Sequence, residues 1–101
     1  MWKKDQPIWV KYKQKEQRCT VLVDKNFVYW KSLGSWLSGQ EKLEVSKVKQ
    51  LINEPKRLIF KGDNDLELAF YDLKDEEKQE IKQILQSEIN MGKITLVPRY
   101  W

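Results

Sequence analysis

Ile8-Trp9-Val10-Lys11-Tyr12 and, after a short polar gap, Cys19-Thr20-Val21-Leu22-Val23 are the stretches on which the fold turns. The first alternates apolar with polar residues and the second is rich in β-branched side chains, so both read as strands. Gln14-Lys15-Glu16-Gln17 between them is the expected hairpin loop, and it pairs Lys13 with Arg18, Lys11 with Thr20, Val10 with Val21 and Trp9 with Leu22. Successive strand side chains point to opposite faces. One side of the hairpin therefore gathers Ile8, Val10, Tyr12, Cys19, Val21 and Val23 as a core. The other side gathers Trp9, Lys11, Lys13, Lys15, Arg18, Thr20 and Leu22.

Working toward the C-terminus, Asp24-Lys25-Asn26 is a turn signal, because Asp and Asn bond their own backbone and tolerate left-handed geometry. Phe27 to Lys31 follows as a third strand, adding Val28 and Trp30 to the core face and Phe27, Tyr29 and Lys31 to the lysine-rich face. A rival reading makes Asn26 a helix cap, with Phe27, Trp30, Leu33 and Leu37 along one side. Ser32 to Gln40 reads as a loop pinned by Trp36. Val45, Val48, Leu51 and Ile52 recur at helical spacing, and Pro55 forbids continuation, which predicts a short helix before it.

Arg57 to Lys61 and Leu66 to Tyr71 flank Gly62-Asp63-Asn64-Asp65, a hairpin pattern. The clearest helix carries Ile81, Ile84, Leu85 and Ile89 on one stripe, with Asp75, Glu76 and Glu77 at its positive N-terminal end and Gly92 as a stop. Lys93 to Val97 reads as a last strand, and Pro98 confines the residues after it to an edge or tail. The fold class predicted is one α+β domain over residues 1–101, a mainly antiparallel sheet in the order β-β-β-α-β-β-α-β with two helices packed on it.

Composition narrows the function. There is no histidine, so the usual general base near neutral pH and the commonest metal ligand are missing. Asp63-Asn64-Asp65 lacks the spacing of a calcium loop, and Ser46 with Lys49 matches an acyl-enzyme pattern without its companion motifs. No cofactor, metal or catalytic group is predicted, and Cys19 reads as a small buried hydrophobe. No apolar run reaches the roughly 18 residues that would cross a bilayer, and Met1-Trp2-Lys3-Lys4-Asp5 lacks the apolar stretch of a signal peptide, so a cytoplasmic protein without membrane attachment is expected.

Charge is lopsided: residues 1–50 hold 11 Lys and Arg against 5 Asp and Glu, whereas residues 51–101 hold 8 against 10. Five tryptophans, most of them flanked by Lys or Arg, lie on this background. Rings on a sheet face framed by cations suit a single-stranded nucleic acid, whose bases stack while its phosphates meet the cations. The sequence thus predicts a small non-enzymatic binding module contacting single-stranded nucleic acid or RNA, with Trp9 and Tyr29 stacking and Lys11, Lys13, Arg18 and Lys31 meeting phosphate. The motifs of RNA-recognition and KH domains are absent, so that expectation rests on charge and aromatics alone. The alternative is a regulatory, inhibitory or accessory module docking on a protein, because interface hot spots favour Trp, Tyr and Arg. Trp36, Arg99, Tyr100 and Trp101 join the partner-binding candidates, with Arg99 extending the basic patch if the last strand lies beside the first. Either use requires that no helix cover the Trp9 face.

Overall fold

The computed structural model describes residues 1–34 and 39–101. Strands β1 (Trp2–Tyr12), β2 (Lys15–Val23), β3 (Phe27–Ser32) and β4 (Glu41–Glu44) form an antiparallel meander. A single 3-10 turn, Val45–Lys47, leads to a second meander of β5 (Gln50–Glu54), β6 (Arg57–Lys61) and β7 (Glu67–Tyr71). Helices α1 (Asp75–Ile84) and α2 (Gln86–Asn90) follow, and β8 (Thr95–Val97) closes the chain. The strands form one sheet in the order β4-β3-β2-β1-β7-β6-β5-β8, with β1 and β7 joining the two meanders and β8 running parallel to β5.

Parity sorts the side chains as the alternation predicts. Ile8, Val10, Cys19, Val21, Val23, Val28 and Trp30 are buried in one cluster with Leu51, Leu58, Phe60, Leu68 and Phe70 of the second meander, so the sheet wraps around a shared core. Ile81 and Leu85 of the predicted helical stripe are fully buried in the same cluster, while Ile84 and Ile89 pack against it partly buried. Gly92, at φ 74°, ends the helical segment in the left-handed region where glycine is least strained.

The register of the first hairpin differs from the expected one. Ile8 pairs with Cys19, Trp9 with Arg18 and Tyr12 with Lys15, leaving only Lys13 and Gln14 in the turn. Both turn residues have positive φ, 52° and 64°, the mirror-image geometry that matches strand twist and favours two-residue hairpins. Sequence reading missed this because neither residue is the Asn or Gly that advertises such a turn. Each partner moves by four positions, an even number, so the β2 residues from Arg18 onward keep their face, whereas Lys15, expected beside Trp9, pairs with Tyr12 on the other side and Lys13 lies in the turn. Gln14→Gly is expected to raise stability by about 0.5–1 kcal/mol, since glycine adopts φ > 0 without the side-chain clash; a lower urea midpoint would contradict it.

The helix expected before Pro55 is not formed. Val45 opens the 3-10 turn and Val48 follows it, already extended at φ −83° and ψ 127°, and Leu51 sits in β5. All three are buried, so the three-residue spacing reports inward-facing positions and not a continuous helix. β-branched Val45, Val48 and Ile52 suit extended backbone, and Arg57–Lys61 offers β5 a ladder running from Gln50↔Lys61 to Glu54↔Arg57 across a Pro55-Lys56 turn. Gly62 lies so close to the Lys47 carbonyl oxygen that any Cβ there would clash.

α1 sits at the end of the sheet opposite the β1–β2 turn, tied to both meanders. Glu77 Oε1 accepts from Lys4 Nζ of β1 and from the Lys74 backbone N–H, each at 2.9 Å, closing half a capping box. Burial pushes the Glu77 carboxyl up, but the Lys74 hydrogen bond and the hydrogen bond and charge of Lys4 together outweigh it and hold the group below its ordinary 4.5. A depressed native value contributes stability that is present above the unfolded pKa and lost as pH falls through the native one. Urea midpoints are therefore expected to hold level above about pH 5 and drop below it, and Glu77→Gln to flatten part of that slope; an unchanged slope in the variant would discard this assignment.

Candidate functional site

The outer face of β1–β3 collects Trp9, Lys11, Arg18, Tyr29 and Lys31, and α1, at the far end of the sheet, leaves it uncovered; Lys13 does not join them, since it lies in the β1–β2 turn with its Nζ 5.3 Å from the Tyr12 ring. Trp9 is 44% exposed, Lys11, Lys13, Arg18 and Lys31 are exposed, and Tyr29 is half-buried. The remaining tryptophans of the described residues serve the interior. Trp2 and Trp30 are buried. Trp30 packs on Tyr12 with ring centroids 4.9 Å apart and donates its indole N–H to Glu41 at 3.0 Å. Cys19 has no exposed surface, and burial foremost, then the Glu41 charge, pushes its thiol up to about 11, consistent with an inert core residue.

The two rings named for stacking lie apart. Trp9 stands opposite Arg18 on β2, whereas Tyr29 of β3 stands opposite Leu22, four residues further along β2. Four residues of strand cover about 13 Å, so the rings do not form the contiguous ladder that the expected Trp9–Leu22 pairing implied. Tyr29 instead belongs to a second cluster, its ring centroid 5.6 Å from that of Phe27, with Lys42 Nζ 4.6 Å from the Phe27 centroid.

Around Trp9 the geometry is tight. The Arg18 guanidinium carbon lies 5.5 Å from the Trp9 ring, and its Nη2 donates to the Pro7 carbonyl at 3.3 Å, so the cation is held over the indole. On the other side of Arg18 stands Leu33, whose N–H donates to the Arg18 carbonyl at 2.9 Å and which is 51% exposed. Trp9 on β1 and Arg18 on β2 thus face each other, and Leu33, the residue just past the end of β3, continues the row. Lys11 with Glu16 flanks it on one side and Thr20 with Lys31 on the other. A shallow depression of about 260 Å³ between Trp9, Glu16, Tyr71 and Asp72 adjoins the row.

Leu33 was absent from the sequence-predicted site because Ser32 to Gln40 reads as a loop. The signal was available in the odd-numbered series Phe27, Tyr29, Lys31, which continues to Leu33 on the same face. The partner-binding candidates divide. Trp36 lies outside the described residues. Arg99 and Tyr100 are exposed but follow β8, which pairs with β5 and not with the first strand, so Arg99 does not extend the Trp9 face. Trp101 packs partly buried against the core, with Lys82 Nζ donating to its backbone oxygen at 2.7 Å. Among the described residues there is no group of three metal-ligating side chains and no helix long and apolar enough to cross a membrane.

Two antiparallel meanders joined at β1 and β7, with the long helix after the last strand of the second, can be compared with known folds. No family model and no curated protein matches the chain. Among solved structures the chain is similar to one described as a PH domain from TgAPH, with a TM-score of 0.60, 16% sequence identity, and coverage of 86% of this chain and 84% of that chain. The fold is PH-like. At that identity the likeness speaks for the backbone arrangement and not for any side chain of the Trp9 row, which stands on its own geometry.

Proposed function

We propose that this chain is a non-enzymatic protein-docking module whose contact surface is centred on the Trp9–Arg18–Leu33 row. The observation that carries the reading is an exposed indole held under a fixed guanidinium, beside an exposed leucine and inside a polar rim. Interface hot spots are enriched in Trp and Arg and are ringed by contacts that exclude water. Holding Arg18 on Trp9 and Pro7 before binding lowers the ordering cost of association. The PH-like fold fits a binding role and lends nothing to the nucleic-acid reading, and the separation of Trp9 from Tyr29 removes the continuous stacking surface that reading needed.

The test places a photocrosslinking amino acid at Lys31, on the rim of the row, and at exposed Glu80 on α1 as a control, in nuclease-treated lysate of the source cells. A protein adduct from position 31 and none from position 80 is expected, and Trp9→Ala should reduce it more than tenfold while urea midpoints stay within about 0.5 kcal/mol of the parent, as exposed positions usually do. An adduct insensitive to Trp9, or retention of oligonucleotides or lipid vesicles with no protein adduct, would overturn the proposal.

A further inference from the structure

Resting on that docking reading, we infer that the row takes an acidic amphipathic helix of the partner, laid across the strands with apolar residues at i and i+7 over Trp9 and Leu33 and a carboxylate at i+3 or i+4 on Arg18. Three observations carry this. β2, which carries Arg18, has β1 on one side and the chain continuing from β3 on the other, so no free backbone edge is offered at Arg18 and a partner must read it by its side chain. Among the described residues the Arg18 guanidinium has one hydrogen-bond partner, the Pro7 carbonyl, and no ion pair. The rest of its planar fork of donors matches a carboxylate in geometry and charge. Lys11 and Lys31 on the flanking rows, together with Arg18, outnumber Glu16 and the Asp72 beside Trp9 by three charges to two and keep the surround positive.

Spacing selects a helix over an extended segment. Neighbouring strands lie about 4.8 Å apart, so Trp9 and Leu33 stand about 10 Å from each other with Arg18 midway. Residues i and i+7 of a helix are about 10.5 Å apart along the axis, with i+3 and i+4 between them on the same face. Same-face residues of an extended segment recur about every 6.7 Å, so three of them span about 13 Å and overshoot the row. The apolar ends and charged centre of the row thus match the apolar, acidic, apolar pattern of one helix face.

The experiment is a display selection on the whole chain, using 14-residue helix-forming peptides in an Ala and Gln background randomised at i, i+3, i+4 and i+7. Expected are Leu, Ile, Phe or Met at i and i+7 and Asp or Glu at i+3 or i+4, with binding that weakens as salt rises. Peptides so chosen should bind Arg18→Glu at least tenfold more weakly, and selection on Arg18→Glu should return Lys or Arg at the central position. Peptides that need Trp9 and Leu33 but carry no acid, or bind Arg18→Glu equally well, overturn the acidic-helix inference and leave the docking reading standing. Recovery of no peptide sensitive to Trp9→Ala or Leu33→Ala overturns this inference, whereas the docking reading itself falls only if the crosslinking adduct is also insensitive to Trp9.

Discussion

Phe70→Ala is expected to lower the unfolding free energy by about 3–5 kcal/mol, the range for truncating a buried aromatic when both transfer energy and a residual cavity are charged to the site. Phe70 has no exposed surface, and its ring meets that of Phe60 edge-on with centroids 5.1 Å apart. On the backbone it pairs with Val10 on one side and Leu58 on the other, so it stands where the two meanders join. Small proteins hold only about 5–15 kcal/mol in total. The variant should therefore melt some 12 °C or more below the parent. Phe70→Leu, which refills much of the volume, should recover a large part of the loss. A loss below about 1 kcal/mol for Phe70→Ala would mean that the junction relaxes freely and that β1 and β7 are not tightly joined.

Removing Lys78 is the second large effect. This lysine of α1 is 3% exposed, and its Nζ donates to Asn53 Oδ1 at 2.8 Å and to the Glu54 carbonyl at 2.7 Å, at the end of β5. The ammonium thus bonds a side-chain oxygen and a backbone carbonyl beside the β5–β6 turn, and it fixes α1 over the second meander as Lys4 and Glu77 fix it to the first. Hydrogen bonds to a charged donor contribute about 1.5–3 kcal/mol each, and orphaning a buried acceptor costs about as much. Lys78→Ala should cost about 2–4 kcal/mol. Lys78→Met keeps the aliphatic stem and isolates the polar contribution, so it should lie between the parent and the alanine variant. Equal midpoints for Met and the parent would show that the stem alone matters, and hydrogen exchange at Leu51 to Glu54 should accelerate in both variants if the ammonium pins the strand.

The lysine-flanked tryptophans illustrate how far composition carries. In sequence Trp2, Trp9 and Trp30 look alike, each an indole within two residues of a lysine. Parity separates two of them: Trp30 turns inward and Trp9 outward, a distinction legible from the alternation of Ile8 to Tyr12 and of Phe27 to Lys31, whereas the burial of Trp2 lay beyond either stretch. The site was therefore half readable. Trp9, Arg18 and their outward neighbours were assigned to the correct face, but the pairing of Trp9 with Leu22 was not, because the loop length was read from polarity. Lys13 and Gln14 close the turn in left-handed geometry that their side chains do not announce, and the four-residue change of register moved Tyr29 away from Trp9 and brought Arg18, with Leu33 beyond it, to Trp9. Spacing misled at Val45, Val48 and Leu51 for a related reason. Over so short a span, three inward positions on a 3-10 turn and a strand have the same period as a helix.

What the sequence determined by itself is which side of each element meets oil and which meets water, since that comes from local periodicity and the transfer of apolar area out of water. Hence the three leading strands, the Ile81 to Ile89 stripe, the hairpin around Gly62 and the inert Cys19 were all readable in advance. What only the tertiary structure decided is which elements lie side by side: β5 against β6 and β8, β1 against β7, Trp9 against Arg18 and Leu33. Those choices depend on turn geometry and on contacts between residues distant in the chain, such as Val10 with Phe70, and no local window of residues contains their energy.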